Sequence, residues 1–234
     1  MGEMCLNCFK PKKACLCKYT KEIDYGVKFI LLMHPKEAKR QRTGTGRIVK
    51  ISIKDSEILV GIDFSKNERL QQLLNDPQYF PVMMYPGEDA WTVKKEGFPQ
   101  VLGNKKLLVI ILDATWFCAK KLITSNPFLL KLPRFSFAGS YRSIFTFKHE
   151  PKPEYISTVE SCYYLIKEMQ EQGLIDKTKD PEPMMNAFKQ MIRFQIQAEN
   201  ERVMGLRPDN HPYDKKYNKV KEVPDFGGIK TYQD

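Results

Sequence analysis

The sequence predicts an α/β fold, a mostly parallel sheet with helices on both faces, behind a short cysteine-rich segment. Three observations carry this. Four apolar runs, Val27 to Met33, Ile58 to Ile62, Pro81 to Tyr85 and Leu107 to Leu112, are too short for helices and show no polar alternation, so they read as strands buried on both faces. Helical stretches alternate with them, around Arg47 to Ile53, Ser65 to Leu74 and Trp116 to Thr124. Finally, 42% hydrophobic and 12% aromatic residues in 234 give material for one large core and exclude disorder throughout.

Taken in order, residues 1–22 hold Cys5, Cys8, Cys15 and Cys17 in a C-x2-C-x6-C-x-C array. No run of 18 apolar residues exists and no apolar signal region precedes Lys10, so neither a membrane span nor a secretory leader is expected. In the reducing, cytoplasmic setting that follows, four neighbouring thiols read as tetrahedral zinc ligands rather than disulfides. A four-cysteine site has no open coordination position, so the expected role is to staple a segment too short for its own core. Cys118 and Cys162, alone in helical context, read as packed small hydrophobes. The body, residues 23–204, continues after the strands with two amphipathic helices. Ser157 to Gln170 places Val159, Cys162, Tyr163, Ile166 and Met169 on one face; Pro183 to Val203 does the same with Met184, Phe188, Met191 and Ile192. Residues 205–234, rich in Pro, Gly, Asp and Lys, read as an irregular tail or docking segment.

Charge points to a partner. The net charge is +10, and Met1 to Lys54 holds 13 basic residues against 4 acidic ones, so almost the whole excess sits in the first quarter. That concentration suggests a polyanion, with nucleic acid ahead of a membrane surface because no basic amphipathic helix accompanies it.

Three strands end in conspicuous residues: His34-Pro35-Lys36-Glu37, Tyr85-Pro86-Gly87 and Asp113-Ala114-Thr115-Trp116. If these strands are parallel, all three motifs converge on the edge where open α/β sheets bind ligands. Asp113 is there either a helix N-cap or a general base, and the helix amides with the Thr115 hydroxyl could receive an anionic group. His34 is either a turn histidine or a catalyst. Ser157-x-x-Glu160 fits a capping box, and Gly44-Thr45-Gly46 behind Arg40 and Arg42 could cradle a phosphate.

The cysteine array, His34-Pro35-x-Glu37 with Arg40, Tyr85-Pro86-Gly87, Asp113-x-Thr115-Trp116, Leu132-Pro133-Arg134 and Ser157-Thr158-x-Glu160 together resemble the DTW-domain proteins, tRNA-uridine aminocarboxypropyltransferases related to the SPOUT methyltransferases. Where that family has an Asn-Thr-Gly turn, this chain has Thr43-Gly44-Thr45-Gly46. The resemblance implies a SPOUT-like fold with a C-terminal trefoil knot. It also implies transfer of the 3-amino-3-carboxypropyl group of S-adenosylmethionine to N3 of a tRNA uridine, releasing methylthioadenosine. On this reading Asp113 takes the N3 proton, with Thr115 and His34 as further catalytic candidates. Donor contacts fall to Tyr85, Pro86, Gly87, Asp113, Ala114, Thr115, Leu132 and Pro133. Arg40, Arg42 and Arg134 meet tRNA phosphates, and Trp116 stacks on a base or packs in the core. No obligate protein partner is expected. Two other readings stay open: a SPOUT-type RNA methyltransferase using the same pocket, and a non-enzymatic zinc-dependent RNA-binding module.

Overall fold

The computed structural model of the chain describes residues 3–40, 43–145, 155–207 and 219–232. Five strands, β1 (Lys28–Met33), β2 (Ser56–Val60), β3 (Tyr79–Met84), β4 (Lys106–Asp113) and β5 (Arg134–Phe135), form one sheet in the order β2-β1-β4-β3-β5. Every named pair is parallel, as the apolar runs predict. β1 is buried along its whole length, and the interior of β4 nearly so. β2 begins two residues earlier than its apolar run suggests, because Ser56 and Glu57 pair with β1 at the sheet edge although neither is apolar. Pro81 is tolerated inside β3 because β5 pairs only with Met83 and Met84, leaving the strand an edge at Pro81.

Helices cover both faces. On one lie α2 (Gly46–Ser52), α4 (Phe98–Leu102), α6 (Thr158–Glu171) and α7 (Glu182–Val203), packed on Phe29, Leu31, Val109 and Ile111. On the other, α3 (Glu68–Asn75) and α5 (Trp116–Ser125) bury Leu70, Leu73 and Leu122 against Ile30, Leu32, Leu108 and Ile110. The alternation of β1 and β4 residues between the two cores is the period of two expected of a strand. A short helix α1 (Pro35–Arg40) follows β1 directly. Both isolated cysteines are buried, as expected of small packed hydrophobes. The path between Phe145 and Tyr155 lies outside the described residues, so the knot stands as an expectation of the resemblance.

Two α6 carboxylates organise the segment ahead of that helix. Glu160, fully buried, accepts from the Ser157 amide at 2.8 Å, as a capping box requires, and also from Ser143 Oγ and the Ile144 amide, both at 2.7 Å. Glu168 accepts from the amides of Ala138 and Gly139 and from the Tyr141 hydroxyl. The tail is docked: Asn200 Nδ2 donates to the Lys221 carbonyl at 2.7 Å, the Lys221 amide donates back to Asn200 Oδ1 at 2.9 Å, and the Tyr232 amide donates to the Lys18 carbonyl. No helix among the described residues is long and apolar enough to cross a membrane.

At the amino end of the sheet Lys28, nearly buried, bridges Asp55 at 2.7 Å and Glu57 at 2.5 Å; Lys106 also pairs with Asp55, and Arg69 with Glu57. The hydrogen bond from Arg69, helped by Lys28, holds Glu57 at about 2. Burial alone would raise Asp55, but Lys106 and Lys28 outweigh it and lower it. Both carboxylates titrate below their unfolded values, so their stabilisation is full above the ordinary carboxylate range and is lost as pH falls toward 2. Thermal midpoints should therefore decline between about pH 5 and pH 2. Lys28→Met should be less stable at neutral pH by about 1–3 kcal/mol, with a shallower acid decline. A midpoint indifferent to this substitution in calorimetry would contradict the assignment.

Candidate active site

β1 and β4 are neighbours, and their pairing runs to Met33 opposite Asp113. The chain leaving β1 turns to the face that carries α2, whereas the chain leaving β4 turns to the face that carries α5. Connections diverging from adjacent parallel strands open a crevice at the carboxyl edge, the topological switch point where α/β sheets hold ligands. His34 and Asp113 thereby become direct neighbours, with the His34 amide donating to the Asp113 carbonyl at 3.3 Å.

Asp113 is only 5% exposed. Its Oδ1 accepts from the Thr158 hydroxyl at 2.8 Å, from the first residue of α6. On the other side stands Gly46, the first residue of α2, where an added Cβ would lie 2.2 Å from Asp113 Oδ2. The Cys162 thiol, one turn into α6, is pushed well up by burial and by the negative charge of Asp113. The N-cap reading of Asp113 is corrected: the residue at that position of α5 is Thr115. The Thr115 amide in turn donates to Glu37 Oε1 at 3.2 Å, so a carboxylate from α1 already occupies the first amide of this junction. Glu37 ties the β1 connection to the β4 connection across the crevice.

His34 is 4% exposed, and its Nδ1 accepts from the Lys36 amide at 3.2 Å. Burial lowers its pKa, with Lys121 and Lys36 adding and Glu37 opposing. The ring is therefore neutral near pH 7 and carries its proton on Nε2, which has no hydrogen-bond partner among the described residues. This makes His34 a donor rather than a proton acceptor in this arrangement.

The other expected positions separate into groups. Tyr85, Pro86 and Gly87 follow β3 at the carboxyl edge, beyond the Met84–Phe135 pair. Arg134 crosses Gly87, where an added Cβ would meet its guanidinium at 2.7 Å, and lies 3.5 Å from Asp89. Leu132 and Pro133 sit further back: the Pro133 carbonyl accepts from the Met83 amide, and Leu132 packs on the core beneath α5. Three strand spacings, about 14 Å, separate β1 from β5 within the sheet. Arg40 and Trp116 are helical positions of α1 and α5 whose side chains lie outside what is described, and Arg42 lies outside the described residues. Ala114 links Asp113 to Thr115 and packs on the α5 side. The sequence reading missed the roles of Gly46, Thr158 and Glu37; all three stand in quoted motifs, but only the fold shows what they touch, Gly46 facing Asp113.

The four N-terminal thiols form a second centre. Their sulfurs all lie within 4.8 Å of one another, with Cys5–Cys17 and Cys8–Cys15 each 3.7 Å apart. Tetrahedral zinc with Zn–S near 2.3 Å requires S···S distances of about 3.8 Å, so this donor set fits the ion. Amides of Cys8 and Asn7 hydrogen-bond the Cys5 sulfur and lower its pKa to about 6, while burial raises Cys15 and Cys17. Phe9, in the turn between the pairs, takes a positive φ of 54°. The knuckle is joined to the body: Cys8 and Leu16 are buried in the main core, Thr20 and Ser52 share a hydrogen bond, and Arg47 of α2 donates to the carbonyls of Ala38 and Phe9.

Two outcomes follow. Elemental analysis of Cys5→Ser/Cys8→Ser should show zinc lost, and undiminished zinc would sink the four-thiol site. At an unhindered helix position Gly→Ala stabilises by about 1 kcal/mol. Gly46→Ala should instead lower the thermal midpoint, since a Cβ there collides with the Asp113 carboxylate; a raised midpoint would show that the contact is not tight.

The DTW domain profile matches residues 2–196. Among curated proteins the chain is similar to tRNA-uridine aminocarboxypropyltransferase 2 of Drosophila melanogaster, 26% identical over 165 residues that cover 68% of this chain and 63% of the relative. It is also similar to the protein of that name from Macaca fascicularis, 20% identical over 196 residues, 82% of this chain and 63% of the relative. The chain thus spans a little under two thirds of the length of these relatives. No solved structure gives a significant match. With a match from residue 2 to residue 196 that takes in the cysteine knuckle, the β1–β4 crevice and Asp113-x-Thr115-Trp116, this chain belongs to the DTW domain family.

Proposed function

We propose that the chain is a tRNA-uridine aminocarboxypropyltransferase that uses S-adenosylmethionine as donor. The observation that carries this reading is a buried carboxylate, Asp113, at the β1–β4 switch point within the region that the DTW domain profile matches. The names of the relatives support the same activity.

The sulfonium of the donor has three electrophilic carbons, and the site selects among them by orientation. The Tyr85-Pro86-Gly87 turn receives the adenosine part, with Leu132 and Pro133 behind it. The amides after Thr115 and the neutral Nε2–H of His34 are the donors available to the amino acid end. In the transfer, uridine N3 attacks the γ-carbon, the C–S bond breaks with its electrons moving to sulfur, and the N3 proton passes to the Asp113 carboxylate. N3 is engaged in base pairing within a duplex, so the uridine must be unpaired or splayed out. Because Asp113 is 5% exposed, binding must part its contact with Gly46 or with Thr158 to let the base approach. Arg40, Arg42 and Arg134 meet phosphates of the tRNA, and Trp116 offers a stacking surface. Zinc, with four thiolates and no open position, holds the knuckle and takes no part in the transfer.

Asp113→Asn is the decisive substitution. An amide oxygen can still accept from Thr158, so folding should survive while single-turnover transfer falls on the order of 10²- to 10⁴-fold. The rate should partly recover at high pH, where N3 deprotonates unaided. Mass spectrometry of nucleosides from treated tRNA should show the aminocarboxypropyl adduct together with methylthioadenosine. S-adenosylhomocysteine as by-product would instead identify a methyltransferase, and near wild-type transfer by Asp113→Asn would remove Asp113 as the base.

A further inference from the structure

The zinc turns and α7 enclose a cleft that the transfer chemistry leaves unused. It measures about 280 Å³ and is lined by Lys12, Lys13, Lys18 and Tyr19 of the knuckle and by Gln190 and Phe194 of α7. Among the described residues no Asp or Glu lines it. Glu3 reaches Lys12 at 2.7 Å from outside, as a pair of well-exposed side chains, a contact worth little in water. Cys15 and Cys17 form part of the floor, and four thiolates on zinc carry a formal −2, which the three lysines exceed.

Aromatic surface accompanies the charge. The Lys18 ammonium lies 5.2 Å from the Tyr19 ring centre, and the Arg207 guanidinium 6.0 Å from that of Phe194. A basic rim around ring faces is the combination by which proteins hold single-stranded nucleic acid: cations follow the phosphates while bases lie on rings. The volume is at the lower end for small-ligand sites, enough for a nucleotide and far too small for a duplex. The same knuckle touches the first turn of α2 through Arg47 and Phe9, and that turn begins at Gly46 against Asp113, so cleft and crevice are joined by one packed segment.

We propose that this cleft is a second RNA site, which holds an unpaired nucleotide of the tRNA other than the reacting uridine. Lys12, Lys13 and Lys18 meet its phosphates, Tyr19 and Phe194 carry the base, and the Gln190 amide offers a donor and an acceptor to the base edge. The proposal rests on tRNA being the substrate and gives the zinc knuckle a task beyond stapling the N-terminus.

The test is titration of the zinc-loaded full chain with tRNA at several salt concentrations, with zinc content measured for every variant. Lys13→Glu/Lys18→Glu should retain zinc, bind about tenfold more weakly and show a log Kd against log salt slope shallower by about 1.4, the value for two single-strand phosphates. Phe194→Ala should weaken binding roughly tenfold with the slope unchanged, because stacking releases no counterions. A short oligouridylate should displace tRNA from the wild type, and polyglutamate should not. Both variants binding within twofold of wild type with unchanged slopes would overturn the cleft while leaving the substrate reading intact. Equal displacement by polyglutamate would reduce the cleft to a general polyanion surface and overturn the nucleotide assignment. Wild-type protein without affinity for tRNA would overturn the substrate reading and the cleft together.

Discussion

The site depends on the parallel pairing of β1 with β4. Their paired ends, Met33 and Asp113, lie opposite one another although 80 residues of sequence, with β2 and β3 between them, separate the two. Parallel pairing brings both carboxyl ends to one edge, and the opposite turns taken after them keep that edge open between the two helical layers. His34, Glu37, Asp113 and Thr115 meet only for this reason. The contacts then reinforce one another: Glu37 clamps the two connections, Thr158 fixes one carboxylate oxygen, and the missing side chain of Gly46 lets the first turn of α2 close on the other.

The N-terminal knuckle extends the same logic outward. Six residues separate Cys8 from Cys15, too few to bury a core of their own, and the knuckle gains its place by burying Cys8 and Leu16 in the main core and by the Arg47 hydrogen bonds. A zinc ion held by the four thiols would close the turn; packing transmits that order to α2. The C-terminal segment fastens the far side, with Lys221 held by Asn200 and Tyr232 by Lys18 and Asn186. Of the segment that reads as an irregular tail or docking segment, residues 219–232 are thus tied to α7 and to the knuckle by specific hydrogen bonds.

Much of the fold is legible because burial on both sheet faces demands continuous apolar runs, as in Phe29 to Met33. Strand limits are less so: β2 starts at polar Ser56 and Glu57, whose membership follows from pairing and from the Lys28 network rather than from hydrophobicity. The five-residue α4 has too short a period to register. At the site, Asp113 and His34 stand out because strand ends are visible in sequence, whereas their partners are not: Thr158 arrives from 45 residues away. In sequence Asp113 reads either as a cap or as a base, and the fold removes the cap reading by showing Thr115 in that place. Leu132 and Pro133 show the limit of motif order, since order does not give register, and the Pro133 carbonyl bonds to Met83, short of the strand ends. The cleft under the knuckle has no sequence signature at all, because α7 supplies its second wall.

On the proposed function, donor and acceptor meet over the carboxyl ends of β1 and β4. A crystal structure of the chain with methylthioadenosine and a uridine-containing tRNA stem-loop tests this most directly. The account predicts the thioether of methylthioadenosine at the Tyr85-Pro86-Gly87 turn and uracil N3 within hydrogen-bond distance of Asp113, with the carboxylate released from Thr158 or from Gly46. A bound nucleoside elsewhere on the molecule, with Asp113 still closed between Thr158 and Gly46, would contradict it.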